Sequence, residues 1–215
     1  TEISNRLGWL HIPEVMVDAL PGIRKVVAGV KADGYKNVLL MGMGGSSLAP
    51  LVIRETYGVK KGYLDVAVLD STDPGAVLEQ RDRLDMSKTL FIVSTKSGGT
   101  AETMSFMKYF YNEVLKEVGK KDAGRHFIAI TDPGSGLQKI AAGLKFRKTF
   151  LNDPNIGGRY SALSFVGVPP AAFQGVDLDT LLARAVTMLH NCESCNCAVD
   201  GDNSGAWLGA ILGEL

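Results

Sequence analysis

Cysteine is scarce in this 215-residue chain: there are three, all between Cys192 and Cys197. Thiols crowded so closely cannot staple a fold together, and the reducing cytoplasm is the compartment that suits them. Net charge is also lacking. Lysine plus arginine and aspartate plus glutamate number 23 each, so the totals favour neither nucleic acid nor an anionic membrane as a partner. No apolar run approaches the ~18 residues that a membrane-crossing helix needs. The opening, Thr1-Glu2-Ile3-Ser4-Asn5-Arg6, is too polar for a signal peptide. There is no internal repeat, low-complexity tract or Walker lysine pattern. What remains is 46% hydrophobic and 21% charged, enough apolar material to bury a core in one large or two small domains. Both ends read as cut. The chain has no initiating Met, and Ala206 to Leu215 is an apolar helical run that stops without a polar tail. A domain taken from a longer protein is the expectation.

The body of the chain alternates short apolar runs with helical patterns. Strands are expected at Asn37–Gly42, Tyr63–Asp70, Thr89–Ser94, His126–Thr131 and Phe146–Leu151. Helices are expected over Ser47–Tyr57, from Asp73-Pro74, over Met104–Val118, from Asp132-Pro133-Gly134 to about Gly143, and over Leu178–Leu189. Residues 13–33 read as one or two helices broken near Pro21-Gly22. Strands apolar on both faces and separated by helices predict an α/β fold, a doubly wound parallel five-stranded sheet with helices on both faces. The organisation expected is 1–34 as covering helices, 35–170 as the α/β domain and 171–215 as a helical segment leading onward. Ligands in such sheets bind outside the carboxyl ends of the strands. The loops worth scrutiny lie there.

The central one is Ser94-Thr95-Lys96-Ser97-Gly98-Gly99-Thr100-Ala101-Glu102-Thr103, between the third strand and the longest helix. Backbone N–H groups at a helix start attract an anion, and hydroxyls, a lysine and two glycines would suit a phosphate. The competing reading is plain capping, with Thr100 as N-cap and Glu102 in the first turn. Gly42-Met43-Gly44-Gly45-Ser46-Ser47 is a second glycine-rich turn. A dinucleotide fingerprint is its rival reading, supported by Asp70 at the end of the second strand. Against it, the third glycine of that pattern would fall at Ser47. Gly157-Gly158-Arg159-Tyr160-Ser161 displays an arginine that could reach an anion, or could simply pair with a surface carboxylate. His190, Cys192, Cys195 and Cys197 form either a loop of reduced thiols or a zinc site, though structural zinc sites usually draw on two separated pairs. His126, at a strand start, reads as structural.

In order and strand context, Gly42–Ser46, Ser94–Thr103 and Gly157–Ser161 together resemble the glucose-6-phosphate isomerases, over about residues 35 to 170. The arginine loop followed by an apolar helix is the most specific part. The resemblance implies the sugar isomerase domain, a flavodoxin-like sandwich. It implies that Thr95, Ser97 and Thr100 hold a sugar 6-phosphate with Lys96 beside it, that Gly45 and Ser46 line the sugar, and that Arg159 steadies an enediolate oxygen. It implies a hexose 6-phosphate substrate, a homodimer, and no metal or redox cofactor. Ser97-Gly98-Gly99-Thr100 replaces the bulkier Thr-Phe-Thr-Thr type of loop, as in bacterial, archaeal or transaldolase-fusion members. The family's base glutamate and ring-opening histidine lie downstream of its arginine loop, and no Glu or His here stands in a matching motif. Glu102 matches a position that supports the phosphate loop. A sugar-phosphate-binding module without catalysis is the alternative, and a nucleotide-binding domain is another.

Overall fold

A computed structural model describes residues 4–193 and 203–214. Five parallel strands form its centre: β1 (Asn37–Met41), β2 (Asp65–Leu69), β3 (Thr89–Ser94), β4 (Phe127–Thr131) and β5 (Lys148–Leu151). They lie in the order β2-β1-β3-β4-β5, the flavodoxin-like arrangement. The chain's direction of travel across the sheet reverses between β1 and β3, which opens a crevice at their carboxyl ends.

Alternation along the strands divides the core in two. Val38, Leu40, Leu90, Ile92, Ile128 and Ile130 point to one face. They meet Met16, Leu20, Ile23 and Val27 of α1 (Ile12–Ala32), with Phe173 of α6 (Val168–Gln174) and Leu182 of α7 (Leu178–Asn191). Leu39, Met41, Phe91, Val93, Phe127 and Ala129 point to the other. There they meet Phe106, Phe110 and Val114 of α4 (Ala101–Val118) and Leu137 of α5 (Gly136–Gly143). Phe91, Phe110, Phe127 and Phe146 stack in a cluster, with centroids 5.1–5.3 Å apart. Each fully buried Leu, Ile or Phe contributes roughly 1.5–3 kcal/mol. Both faces are therefore held firmly, and the strand ends become a rigid platform. The remaining helices are α2 (Leu48–Tyr57), α3 (Pro74–Arg83) and α8 (Ser204–Glu214). Among the described residues no helix is long and apolar enough to cross a membrane.

Several boundaries differ from the sequence reading. Residues 12–32 form one helix, unbroken at Pro21-Gly22. Pro21 removes the N–H that would bond the Val17 carbonyl, but both residues are exposed, so that carbonyl is not left in a dry interior. The buried stripe on the opposite face carries the helix through. The segment Ala123–His126 is a 3-10 turn, so β4 begins at Phe127. His126 is buried behind it and its Nδ1–H donates to the Thr89 carbonyl at 3.1 Å. Burial holds its pKa below the usual histidine range. Helix α5 starts at Gly136 because the Ser135 hydroxyl accepts from the Gln138 N–H. Helix α4 begins at Ala101, three residues before the periodicity.

Candidate functional site

The loops after β1, β3, β4 and β5 converge on the crevice at the sheet's carboxyl end. They enclose a cavity of about 360 Å³ lined by Met43, Gly45, Ser46, Ser94, Thr95, Lys96, Ser97, Thr100, Asp132 and Gly158. Six of the seven residues singled out in the sequence (Gly45, Ser46, Thr95, Lys96, Ser97 and Thr100) are thus in one place. The seventh, Arg159, is on the rim: its guanidinium lies 5.2 Å over the ring of Tyr160. Its neighbour Gly158, not Arg159 itself, lines the cavity.

The loop after β3 is held at both ends. Thr95 N–H donates to the Ile130 carbonyl at 3.0 Å, continuing the ladder past the last strand residue. At the far end Thr100 occupies the N-cap position of α4, but its hydroxyl makes no cap bond. It pairs with the Thr95 hydroxyl at 2.9 Å instead. The capping reading is therefore corrected: Thr100 faces across the loop, and the first-turn amides of α4 keep no side-chain cap. Ser97 is exposed at the tip and accepts from the Gly99 N–H at 3.3 Å.

Two glycines allow the loops to close up. Gly98 has φ +69°, and a Cβ there would stand 2.6 Å from the Ser135 Cβ and 2.8 Å from the Leu137 nitrogen. A Cβ on Gly45 would stand 2.3 Å from the Gly158 carbonyl carbon. The β1 loop and the arginine loop thus touch backbone to backbone, and the Ser161 hydroxyl reaches the Gly45 carbonyl at 3.3 Å. The arginine loop is covered from outside as well, where Trp9 stacks on Tyr160 with centroids 5.6 Å apart.

Lys96 does not stand free. Its Nζ is paired with the Asp132 carboxylate and donates to the Pro154 carbonyl at 2.7 Å. Asp132 was not singled out in the sequence, where it reads only as part of an Asp-Pro-Gly helix start. Ser94 opens the central stretch but has no role of its own in the sequence reading. Its buried hydroxyl lacks a hydrogen-bond partner, as does Oδ1 of Asp132. Both residues also border a recess of about 10 Å³ behind the main cavity, with Asn152 and Ser161. A polar residue closing an apolar strand was the one signal that could have flagged Ser94. Asp70 is exposed at the end of β2 and is not among the cavity's lining residues. The acid that a dinucleotide site needs is therefore out of place. His190 and Cys192 end α7 and follow it, whereas Cys195 and Cys197 lie outside the described residues. Among the described residues no three His, Cys, Asp or Glu side chains cluster as metal ligands would.

A five-stranded parallel sheet in the order β2-β1-β3-β4-β5, with helices on both faces and a cavity at its switch point, defines a doubly wound, flavodoxin-like α/β domain. The comparisons narrow this. Residues 22–197 match the sequence model of the phosphoglucose isomerase family, and the chain belongs to that family. It is 34% identical over 206 residues to the glucose-6-phosphate isomerase of Carboxydothermus hydrogenoformans, covering 90% of this chain and 43% of that protein. Among solved structures, a hypothetical protein of Thermus thermophilus superposes with a TM-score of 0.79 at 33% identity, covering 88% of this chain and 44% of that one. A glucose-6-phosphate isomerase of Chlamydia trachomatis shares the fold, with a TM-score of 0.72 at 23% identity, over 81% of this chain and 33% of that one. The chain spans under half the length of these relatives.

Proposed function

We propose that this chain forms the phosphate-gripping part of an isomerase that interconverts glucose 6-phosphate and fructose 6-phosphate. The observation that carries the reading is the uncapped start of α4. With Thr100 turned to Thr95, the first-turn amides and the positive end of the helix dipole are available to a phosphate. Thr95, Ser97 and Thr100 add hydroxyl donors around it. Gly45 and Ser46 line the same cavity and take the sugar in this proposal. Arg159 swings in from its stacked position on Tyr160, and its fixed charge stabilises an enediolate oxygen that turns negative only during reaction.

The chemistry opens the sugar ring, removes the C2 proton to form a cis-enediolate and returns a proton at C1. Among the described residues no Glu or His lines the cavity, and Asp132 is tied to Lys96. In this reading the base comes from outside the residues that line the cavity. The purified chain is expected to bind hexose 6-phosphates and to turn them over negligibly, which a coupled isomerase assay checks. A homodimer is part of the same proposal, and sedimentation velocity tests it.

Ser97→Ala combined with Thr100→Ala is the direct test of the grip. Hydrogen bonds to a charged group are worth about 1.5–3 kcal/mol each, so fructose 6-phosphate affinity should fall by at least roughly tenfold. The urea midpoint should stay close to that of the parent, since neither hydroxyl caps α4. A variant that fails to fold, or that still binds with parental affinity, refutes the role given to these hydroxyls. A thermal-shift comparison in which NAD stabilises the chain and fructose 6-phosphate does not would favour a nucleotide site.

A further inference from the structure

Lys96 offers the one cationic side chain among the residues lining the cavity, yet its charge is already matched. The Asp132 carboxylate pairs with Nζ from the loop after β4, and the Pro154 carbonyl accepts from it at 2.7 Å after β5. One ammonium thus joins the ends of three neighbouring strands. The main chain repeats the join, since the Asp132 N–H donates to the Lys96 carbonyl at 3.2 Å. The pair is largely enclosed, with side chains 32% and 17% exposed. The second oxygen of the carboxylate, Oδ1, is buried without a hydrogen-bond partner. Lys96 is therefore the group that offsets this charge.

We propose that Asp132 is a positioning and specificity residue: it holds Lys96 as a bracket between three loops and cancels its charge, so that neutral donors select the phosphate. The inference rests on the phosphate reading above and adds to it which groups do the selecting. A site whose lysine is neutralised attracts anions little by charge alone. Recognition then depends on fitting the hydroxyls and amides, and a bare sulfate gains little. A free lysine would instead draw any anion, in a manner that salt screens.

Calorimetric titration of sulfate and of fructose 6-phosphate at low and moderate salt tests this in the parent chain, Asp132→Asn, Lys96→Met and the double variant. Asp132→Asn should tighten sulfate binding about tenfold and make it salt-sensitive, because the ammonium is released. Lys96→Met should weaken fructose 6-phosphate about tenfold or more, because an unpaired carboxylate then faces the phosphate. The double variant removes both charges and should return to within about threefold of the parent. A purely structural aspartate would not create sulfate affinity or a salt dependence.

The proposal is overturned if the double variant binds as weakly as Lys96→Met while Asp132→Asn leaves sulfate unchanged, since Lys96 would then be a ligand itself. If the parent binds neither anion, the phosphate reading fails, and unfolding by urea still judges the bracket. Destabilisation in the double variant smaller than the sum of the two single effects supports it, and additive effects reject it. An Asp132→Asn chain that does not fold, beside a double variant that does, also supports the pairing.

Discussion

Gly98 sits where two loops compete for the same space. Its φ of +69° is one that side-chain-bearing residues adopt only at a cost of about 1–2 kcal/mol. The Cβ of an alanine would also overlap Ser135 and the Leu137 backbone, neither of which can yield as a long flexible side chain would. Gly98→Ala is expected to lose at least about 2 kcal/mol in urea denaturation. Gly99→Ala is its control, because a Cβ there meets nothing within 4 Å, and it should change stability by less than about 0.5 kcal/mol. Equal effects at the two positions would remove the packing explanation. The sequence makes both glycines visible and does not distinguish them. Which one carries the contact depends on Ser135, in the loop after the next strand.

Helices and strands were the most legible level. The five apolar runs became the five strands because each needs both faces covered, and a parallel sheet between helices supplies that. The errors gather at ends, where one hydrogen bond decides. Ser135 moves the start of α5 and Thr100 leaves its cap unmade, and neither choice shows in periodicity. Helix α1 is the larger correction. Its buried stripe of Met16, Leu20, Ile23, Val27 and Val30 outweighs a proline whose missing N–H leaves only a solvent-facing carbonyl without a helix donor. A proline in a helix interior costs up to about 3 kcal/mol against alanine. Pro21→Ala is therefore expected to raise the urea midpoint, corresponding to about 1–3 kcal/mol. An unchanged or lower midpoint would mean that the proline is accommodated by more than solvent.

At the scale of the whole molecule, the site lies at one end of the sheet and a buried histidine at the other. Burial depresses the pKa of His126 in the folded chain, more than its bond to the Thr89 carbonyl raises it. Between that lowered value and about 6.5, the unfolded chain binds the proton more readily than the folded one. Stability is therefore fully present above about pH 6.5 and declines as pH falls below it. The urea midpoint should drop between about pH 7 and pH 5, and His126→Gln should flatten that drop. The carboxyls of Asp33, Asp85 and Asp177 are held low by their hydrogen-bond partners, so their loss belongs to more acidic solution, below about pH 4. A variant with the parental slope would place the titration elsewhere.

The chain's local patterns determined that five strands would alternate with helices, and that glycine- and hydroxyl-rich turns would follow β1, β3 and β5. They could do so because burial on two faces, helix starts and glycine turns are each written within a few neighbouring residues. Only the tertiary structure decided that β1 and β3 lie side by side, that Gly45 closes on Gly158, and that Asp132 answers Lys96. Those contacts join residues far apart along the chain. A distance set by how two helical layers pack across a sheet leaves no trace in any short stretch of sequence.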